Sequence, residues 1–254
     1  YDAPMNTTAI AVTPRRVAIF VACVFVLHST LDRSALAIDS LWVVQADGDW
    51  FEPTNWTAGV PNAPGDVANL FTSALQDLTV DVPAAVTLGQ LQIEGVNPLA
   101  IVGVGAFNFD NPGSDDALLA VGRREDVQIA VPINIANGQQ LAVQVEESRR
   151  LVLLGGIGAG DGNLLMQGPG TVRLNGASAG WNGVLTIDGG LATVDNLGVF
   201  GSSVGGTVVG AEGELNINAG GVVDESIRLA RGTLATSGGE LKINAPNQLD
   251  DTNQ

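Results

Sequence analysis

The sequence predicts an all-β solenoid, a parallel β-helix, and three observations predict it. One short unit recurs between Gly155 and Ala245: a glycine-bounded turn, then a strand alternating aliphatic and small polar residues. Gly168-Pro169-Gly170-Thr171-Val172-Arg173-Leu174-Asn175-Gly176 is one copy, and Gly213-Glu214-Leu215-Asn216-Ile217-Asn218 and Gly239-Glu240-Leu241-Lys242-Ile243-Asn244 repeat its pattern. The same period-two alternation extends upstream to Leu78. From Ile38 onward no stretch sustains the 3.6-residue period of an amphipathic helix. Strands this short do not offset the entropy of ordering as isolated hairpins, so they must share a core by stacking coil on coil. Alternation alone does not separate a solenoid from a β-sandwich, which stays the alternative.

Residues 1–37 read as a secretory signal peptide. Arg15-Arg16 precede an uninterrupted apolar run from Val17 to Leu27, and Ala35-Leu36-Ala37 offers a small-x-small cleavage site. The run is shorter than the about 20 residues a membrane span requires. Met5 reads as the initiator. Cys23 as a lipid-attachment residue and Arg15-Arg16 as a folded-export signal are the rival readings; the apolar run continues past Cys23, and nothing else of the export motif is present.

Residues 38–77 form a Trp-, Gly- and Pro-rich opening block. Trp42, Trp50 and Trp56 stand among Gly48, Asn55, Gly59, Pro61, Pro64 and Gly65. Turn residues at that density exclude long helices. Such tryptophans either close the end of the core, because a terminal coil must cover its apolar face, or stack on sugar rings.

Residues 78–245 carry the solenoid. Leu78–Val82, Val86–Leu88, Leu91–Ile93, Leu99–Val102, Phe107–Phe109, Leu118–Val121, Val127–Val131, Ile133–Ile135 and Leu141–Val145 alternate in sequence, each closed by Gly, Asn or Pro. Coils of roughly 20 residues stacked about 4.8 Å apart give about ten rungs and a rod about 50 Å long. Glycines supply the corners, and Asn134, Asn175, Asn216 and Asn244 are expected to tolerate the same corner geometry. Residues 246–254 are a polar tail, read as truncated.

Composition narrows the chemistry. Cleavage after Ala37 removes the single cysteine, His28 and Tyr1, and leaves Lys242 as the remaining lysine. Zinc sites, disulfides, Ser-His-Asp and Cys-His machinery and P-loops then lack their residues. The formal net charge of −16 repels nucleic acid and anionic membranes, which are bound chiefly through Lys and Arg. It suits an extracellular protein and attracts divalent cations.

The acidic pairs Asp115-Asp116, Glu125-Asp126, Glu146-Glu147 and Asp224-Glu225 are candidates for calcium or for acid–base work on a glycoside. Neighbours on a strand face opposite ways, so a catalytic pair has to come from different rungs; solvated carboxylates are the simpler reading. Arg123-Arg124 beside Glu125 and Asp126 is the one local cluster of both signs in the sequence that fits a lyase, although ordinary surface pairing is the simpler account of it. In Gly155-Gly156-Ile157-Gly158-Ala159-Gly160-Asp161-Gly162-Asn163 a calcium-binding nonapeptide fails in register, with glycine at 160 where that motif needs aspartate.

The stretch from Leu151 through Gly168-Pro169-Gly170-Thr171-Val172-Arg173-Leu174-Asn175-Gly176 and Trp181-Asn182-Gly183 to Gly189-Gly190-Leu191-Ala192-Thr193-Val194 resembles the autotransporter-associated β-strand repeat. That repeat has a Gly-x-Gly-Thr-Leu-x-Leu-x-Gly strand, an Asn-rich turn with an aromatic and glycine, and a Gly-x-Leu strand. Gly205 to Leu229 is similar to the spacer between such repeats, and Trp42 to Ala68 to the start of large secreted bacterial proteins that carry them. The resemblance covers most of Leu41 to Asn244 and implies a right-handed parallel β-helix outside the cell. It brings no catalytic residues and no metal. No barrel or sorting tail follows Asn244, where relatives usually continue.

The expected function is a secreted or cell-surface, structural, adhesin-like β-helical protein without catalysis. The alternatives are an extracellular carbohydrate-binding module using Trp42, Trp50, Trp56 and Trp181, or a pectate-lyase-like polysaccharide-degrading enzyme. No cofactor is required, with calcium as an option, and the expected partner is an extracellular polysaccharide or cell surface. Exposed terminal strand edges also invite end-to-end self-association.

Overall fold

A computed structural model of the chain describes residues 36–243 except 75, 114, 124, 125 and 239. The signal-peptide reading of residues 1–37 lies almost wholly outside the described residues, as do Asn244 and the polar tail at 246–254. The chain from Ala37 onward forms one unit.

Each coil carries up to three strands. The first holds β1 (Asp39–Leu41) and β2 (Gly48–Asp49). The next holds β3 (Val67–Thr72), β4 (Leu78–Asp81) and β5 (Val86–Leu88). Then come β6 (Gln90–Gly95), β7 (Leu99–Val102) and β8 (Phe107–Phe109), followed by β9 (Ala117–Val121), β10 (Asp126–Ile129) and β11 (Ile133–Ile135). Later coils hold β12 (Gln140–Val145) with β13 (Arg150–Leu153), then β14 (Asn163–Gln167) with β15 (Thr171–Leu174). β16 (Val184–Val194) and β17 (Gly206–Ile217) each run across two faces, and β18 (Gly221–Val223) follows. β19 (Ile227–Leu229), β20 (Thr233–Thr236) and β21 (Leu241–Ile243) make the last described coil.

Every strand pairing is parallel. A β-sandwich, built from antiparallel sheets, is thereby set aside. The first face runs β1-β3-β6-β9-β12-β14-β16 and the second returns β15-β13-β10-β7-β4-β2; β16 joins the two into one 16-stranded sheet. The third is shorter, β5-β8-β11. The whole is a right-handed parallel β-helix of about seven turns, the hand that parallel crossovers favour.

Coil length shortens along the chain. Stacked partners lie 28 residues apart at Gln45 and Ser73, 23 at Gln144 and Gln167, and 20 at Asn182 and Ser202. The expected spacing of roughly 20 holds only late, because the tryptophan loop and the 110–116 loop lengthen the early coils. Parallel pairing also begins earlier than the alternation from Leu78 suggests, since Ser40 already stacks on Ala68.

The register explains the alternation. One buried column on the first face reads Ala68, Leu91, Leu119, Val143, Met166, Ile187 and Val209. A second reads Val80, Ile101, Ile129, Leu153, Leu174, Val194 and Ile217. Each apolar side chain sits on one from the rung before, so a polar substitution in either column has apolar neighbours on both sides. Between such columns corners must be tight. Gly156 has φ of +75°, and a Cβ there would collide with the Ala177 carbonyl. Gly103, at φ +129°, is held as closely against Val82. Both requirements, left-handed backbone and close approach, select glycine.

Two of the asparagines, Asn134 and Asn216, do something other than turn corners, whereas Asn175 directly follows β15. Positive φ outside glycine falls on Arg123, Ser148 and Arg231. Asn134 lies within β11, where its Nδ2 donates to Asn108 Oδ1 on the rung before at 2.7 Å. Asn216 lies within β17 and accepts from the Ser237 hydroxyl. An outward amide on a strand finds its partner one rung away, which favours a ladder over a corner. Asn134→Ala should cost about 1 kcal/mol in urea denaturation, the worth of one such bond, and little when Asn108 is already alanine.

Candidate functional site

The four tryptophans are core residues. Trp42, Trp50, Trp56 and Trp181 are all buried. Trp50 Nε1 donates to the Pro61 carbonyl at 3.1 Å, Trp56 Nε1 to the Trp50 carbonyl at 2.7 Å, and Trp181 Nε1 to the Gly162 carbonyl at 2.7 Å. A sugar platform requires an open ring face, and none of the four presents one. The first three close the core instead: Trp50 meets Trp56 edge-on at 4.8 Å and Phe107 at 5.2 Å.

Of the acidic pairs, Asp116 and Asp126 are each taken up by a side chain on the following rung. Asp116 accepts from Gln140 Nε2 at 2.8 Å. Asp126 takes Arg150 through two 2.7 Å bonds, Nε to Oδ1 and Nη2 to Oδ2, and that pairing raises the guanidinium pKa. Both partners are substantially exposed, so Asp126→Asn should change stability by less than about 1 kcal/mol in thermal denaturation. Arg124 and Glu125 lie outside the described residues. The glycine run from Gly155 packs closely on neighbouring rungs: Gly155 against the Val131 backbone, Gly156 against the Ala177 backbone and Gly158 against the Asn134 side chain. Close approach accounts for these glycines, and among the described residues no cluster of three or more His, Cys, Asp or Glu side chains is placed to hold a metal ion.

Glu225 is different. It is 4% exposed, and its Oε1 accepts from the buried Thr207 hydroxyl at 2.5 Å. Thr207 occupies the inward column between Leu185 and Ile227, and Glu225 turns in from the adjoining corner to satisfy it. Burial pushes the carboxyl up to about 7, against a smaller lowering by the Thr207 bond.

The structure also assembles a groove that no linear motif marks. On the outer side of the first face, Gln92 stacks on Ala120, Ala120 on Gln144 and Gln144 on Gln167. Glu94, two residues on from Gln92 within β6, and Glu146, just past β12, continue two of these rungs, with Gly122 between them. A Cβ on Gly122 would lie 3.3 Å from Glu94 Cγ and 3.4 Å from Glu146 Oε1, so the two side chains converge over the glycine. Glu146 Oε2 also accepts from the Arg123 backbone N–H at 3.2 Å.

Small residues at 120 and 122 between long polar neighbours leave a hollow of about 390 Å³. It adjoins a second of about 440 Å³ that shares Gln167, Gly168 and Pro169 and carries Asp188 and Glu212. The two form one groove along the stacking direction, lined by amides and carboxylates, and its described lining contains no aromatic or basic side chain. Sequence reading singled out Glu146 but not Glu94, Gln92 or Gln144, because their juxtaposition depends on register between rungs.

Comparison with known proteins returned no matching family model, no matching curated protein and no matching solved structure.

Proposed function

We propose that the chain is a secreted or cell-surface structural protein, adhesin-like and non-catalytic, whose β-helix presents a long polar surface to its surroundings. The observation that carries this reading is the parallel ladder of the first two faces: one apolar core runs from the tryptophan plug to the last described coil. Side chains with chemical potential are spent on that ladder, as Asn134 on Asn108 and Arg150 on Asp126. A net charge of −16 suits a surface that must stay dispersed outside the cell. The basic, apolar and small-residue order of residues 1–37 supports export, and the likeness to autotransporter-associated repeats supports the same placement.

The test is to express the full chain in a Gram-negative host, fractionate the culture and sequence the N-terminus of the product. Export with cleavage after Ala37 is the expected result. Retention in the cytoplasm at full length would overturn the placement. Release of sugar from a panel of glycans would overturn the non-catalytic reading. The carbohydrate-binding alternative is favoured by one observation, the lengthwise groove, and no longer by the tryptophans.

A further inference from the structure

From the groove over Ala120 and Gly122 we infer a binding site for a linear, neutral polysaccharide lying along the solenoid axis. The inference rests on the extracellular reading above. Shape comes first: the two hollows share Gln167, Gly168 and Pro169 and so form one continuous channel rather than a closed pocket. A channel of that form takes a chain, not a compact ligand. Its polar groups repeat with the rungs, about 4.8 Å apart, close to the advance of one hexose along an extended glycan. A polymer in register meets amides at the successive rungs of Gln144 and Gln167, while Ala120 interrupts the row between Gln92 and Gln144.

The lining chooses the chemistry. Gln92, Gln144 and Gln167 each carry a donor and an acceptor, and Glu146, Asp188 and Glu212 supply acceptors for hydroxyl protons. Carboxylates accepting from hydroxyls form charge-assisted bonds. The same carboxylates repel uronic acids and sulfated sugars, and the groove's described lining offers no arginine or lysine to offset that. Polypeptides are a poorer match, because the rungs beneath the groove are central strands already paired on both edges and offer no free edge for strand addition.

The experiment is isothermal titration of the full-length protein with cellohexaose, mannohexaose and xylohexaose, with hexagalacturonate as the acidic control. At least one neutral hexasaccharide should bind and hexagalacturonate should not. Ala120→Phe, which fills the channel from the outward side of β9, should weaken binding at least tenfold with an unchanged circular dichroism spectrum. Gln144→Ala, which opens the channel without threatening the strand, should weaken it several-fold and serves if the phenylalanine variant misfolds. Failure of all three neutral hexasaccharides, equal affinity in both variants, or preference for hexagalacturonate would overturn the site. Reducing ends measured in the same samples separate the two readings: turnover would sink the non-catalytic proposal, whereas absent binding would sink only this site.

Discussion

Trp50→Ala is expected to destabilise the protein by about 3–5 kcal/mol, the range for removing a buried indole. Trp50 is 0% exposed and stands at the centre of the N-terminal plug, with Trp56 on one side and Phe107 of the third coil on the other. Truncation opens a cavity that the surrounding backbone cannot collapse into, because Trp50 N–H is bonded to Asp81 on the next coil at 2.8 Å. It also strands the Pro61 carbonyl, which accepts from the indole N–H. The cost should appear as a lower urea midpoint with loss of near-ultraviolet dichroism. Trp50→Phe, which keeps a ring and loses the N–H, should recover more than half of it. Phe71 provides the contrast: it points outward from β3 at 39% exposure, and its replacement by alanine should stay within about 0.5 kcal/mol. Equal effects at Trp50 and Phe71 would mean that the tryptophans do not close the core.

Strand positions were readable where the inward column is purely aliphatic or aromatic. Val86–Leu88, Phe107–Phe109 and Ile133–Ile135 coincide with β5, β8 and β11, since two apolar residues flanking one polar residue fit only a half-buried strand. β1 escaped notice because its inward residue is Ser40, buried and donating to the Gly59 carbonyl at 2.8 Å. A hydroxyl satisfied by a distant loop has no signature in local alternation. Gly189-Gly190 opens the Gly-x-Leu strand of the repeat that the sequence resembles. In the structure the pair turns a corner inside β16 without interrupting its pairing to β17, with a register shift at that point. Tryptophan burial followed from the need to close a coil, whereas the groove did not follow from anything local. Glu94, Gly122 and Glu146 meet through the register between rungs, and because the intervening coils differ in length no fixed sequence spacing marks them.

Glu225→Gln is expected to stabilise the protein at pH 8 by about 3 kcal/mol and to leave it nearly unchanged at pH 4. The folded carboxyl titrates at about 7 against an ordinary 4.5, because burial disfavours its charged form. Below pH 4.5 the group is protonated in folded and unfolded chains alike, so it makes no demand. As pH rises from 4.5 towards 7 the unfolded chain releases the proton first, binds fewer protons than the folded chain, and stability falls. Above 7 both states are ionised and the loss is constant, at about 1.4 kcal/mol for each pH unit separating the two values. Glutamine cannot ionise and still presents an oxygen to the Thr207 hydroxyl, so its urea midpoint should be flat across that window while wild type declines. Thr207→Val removes the one interaction that holds the value down, and should extend the decline to higher pH while its onset near 4.5 stays in place. Parallel pH profiles for wild type and Glu225→Gln would show that the carboxyl is solvated. The coupling between Glu225 and the column that runs through Leu185, Thr207 and Ile227 would then have to be abandoned.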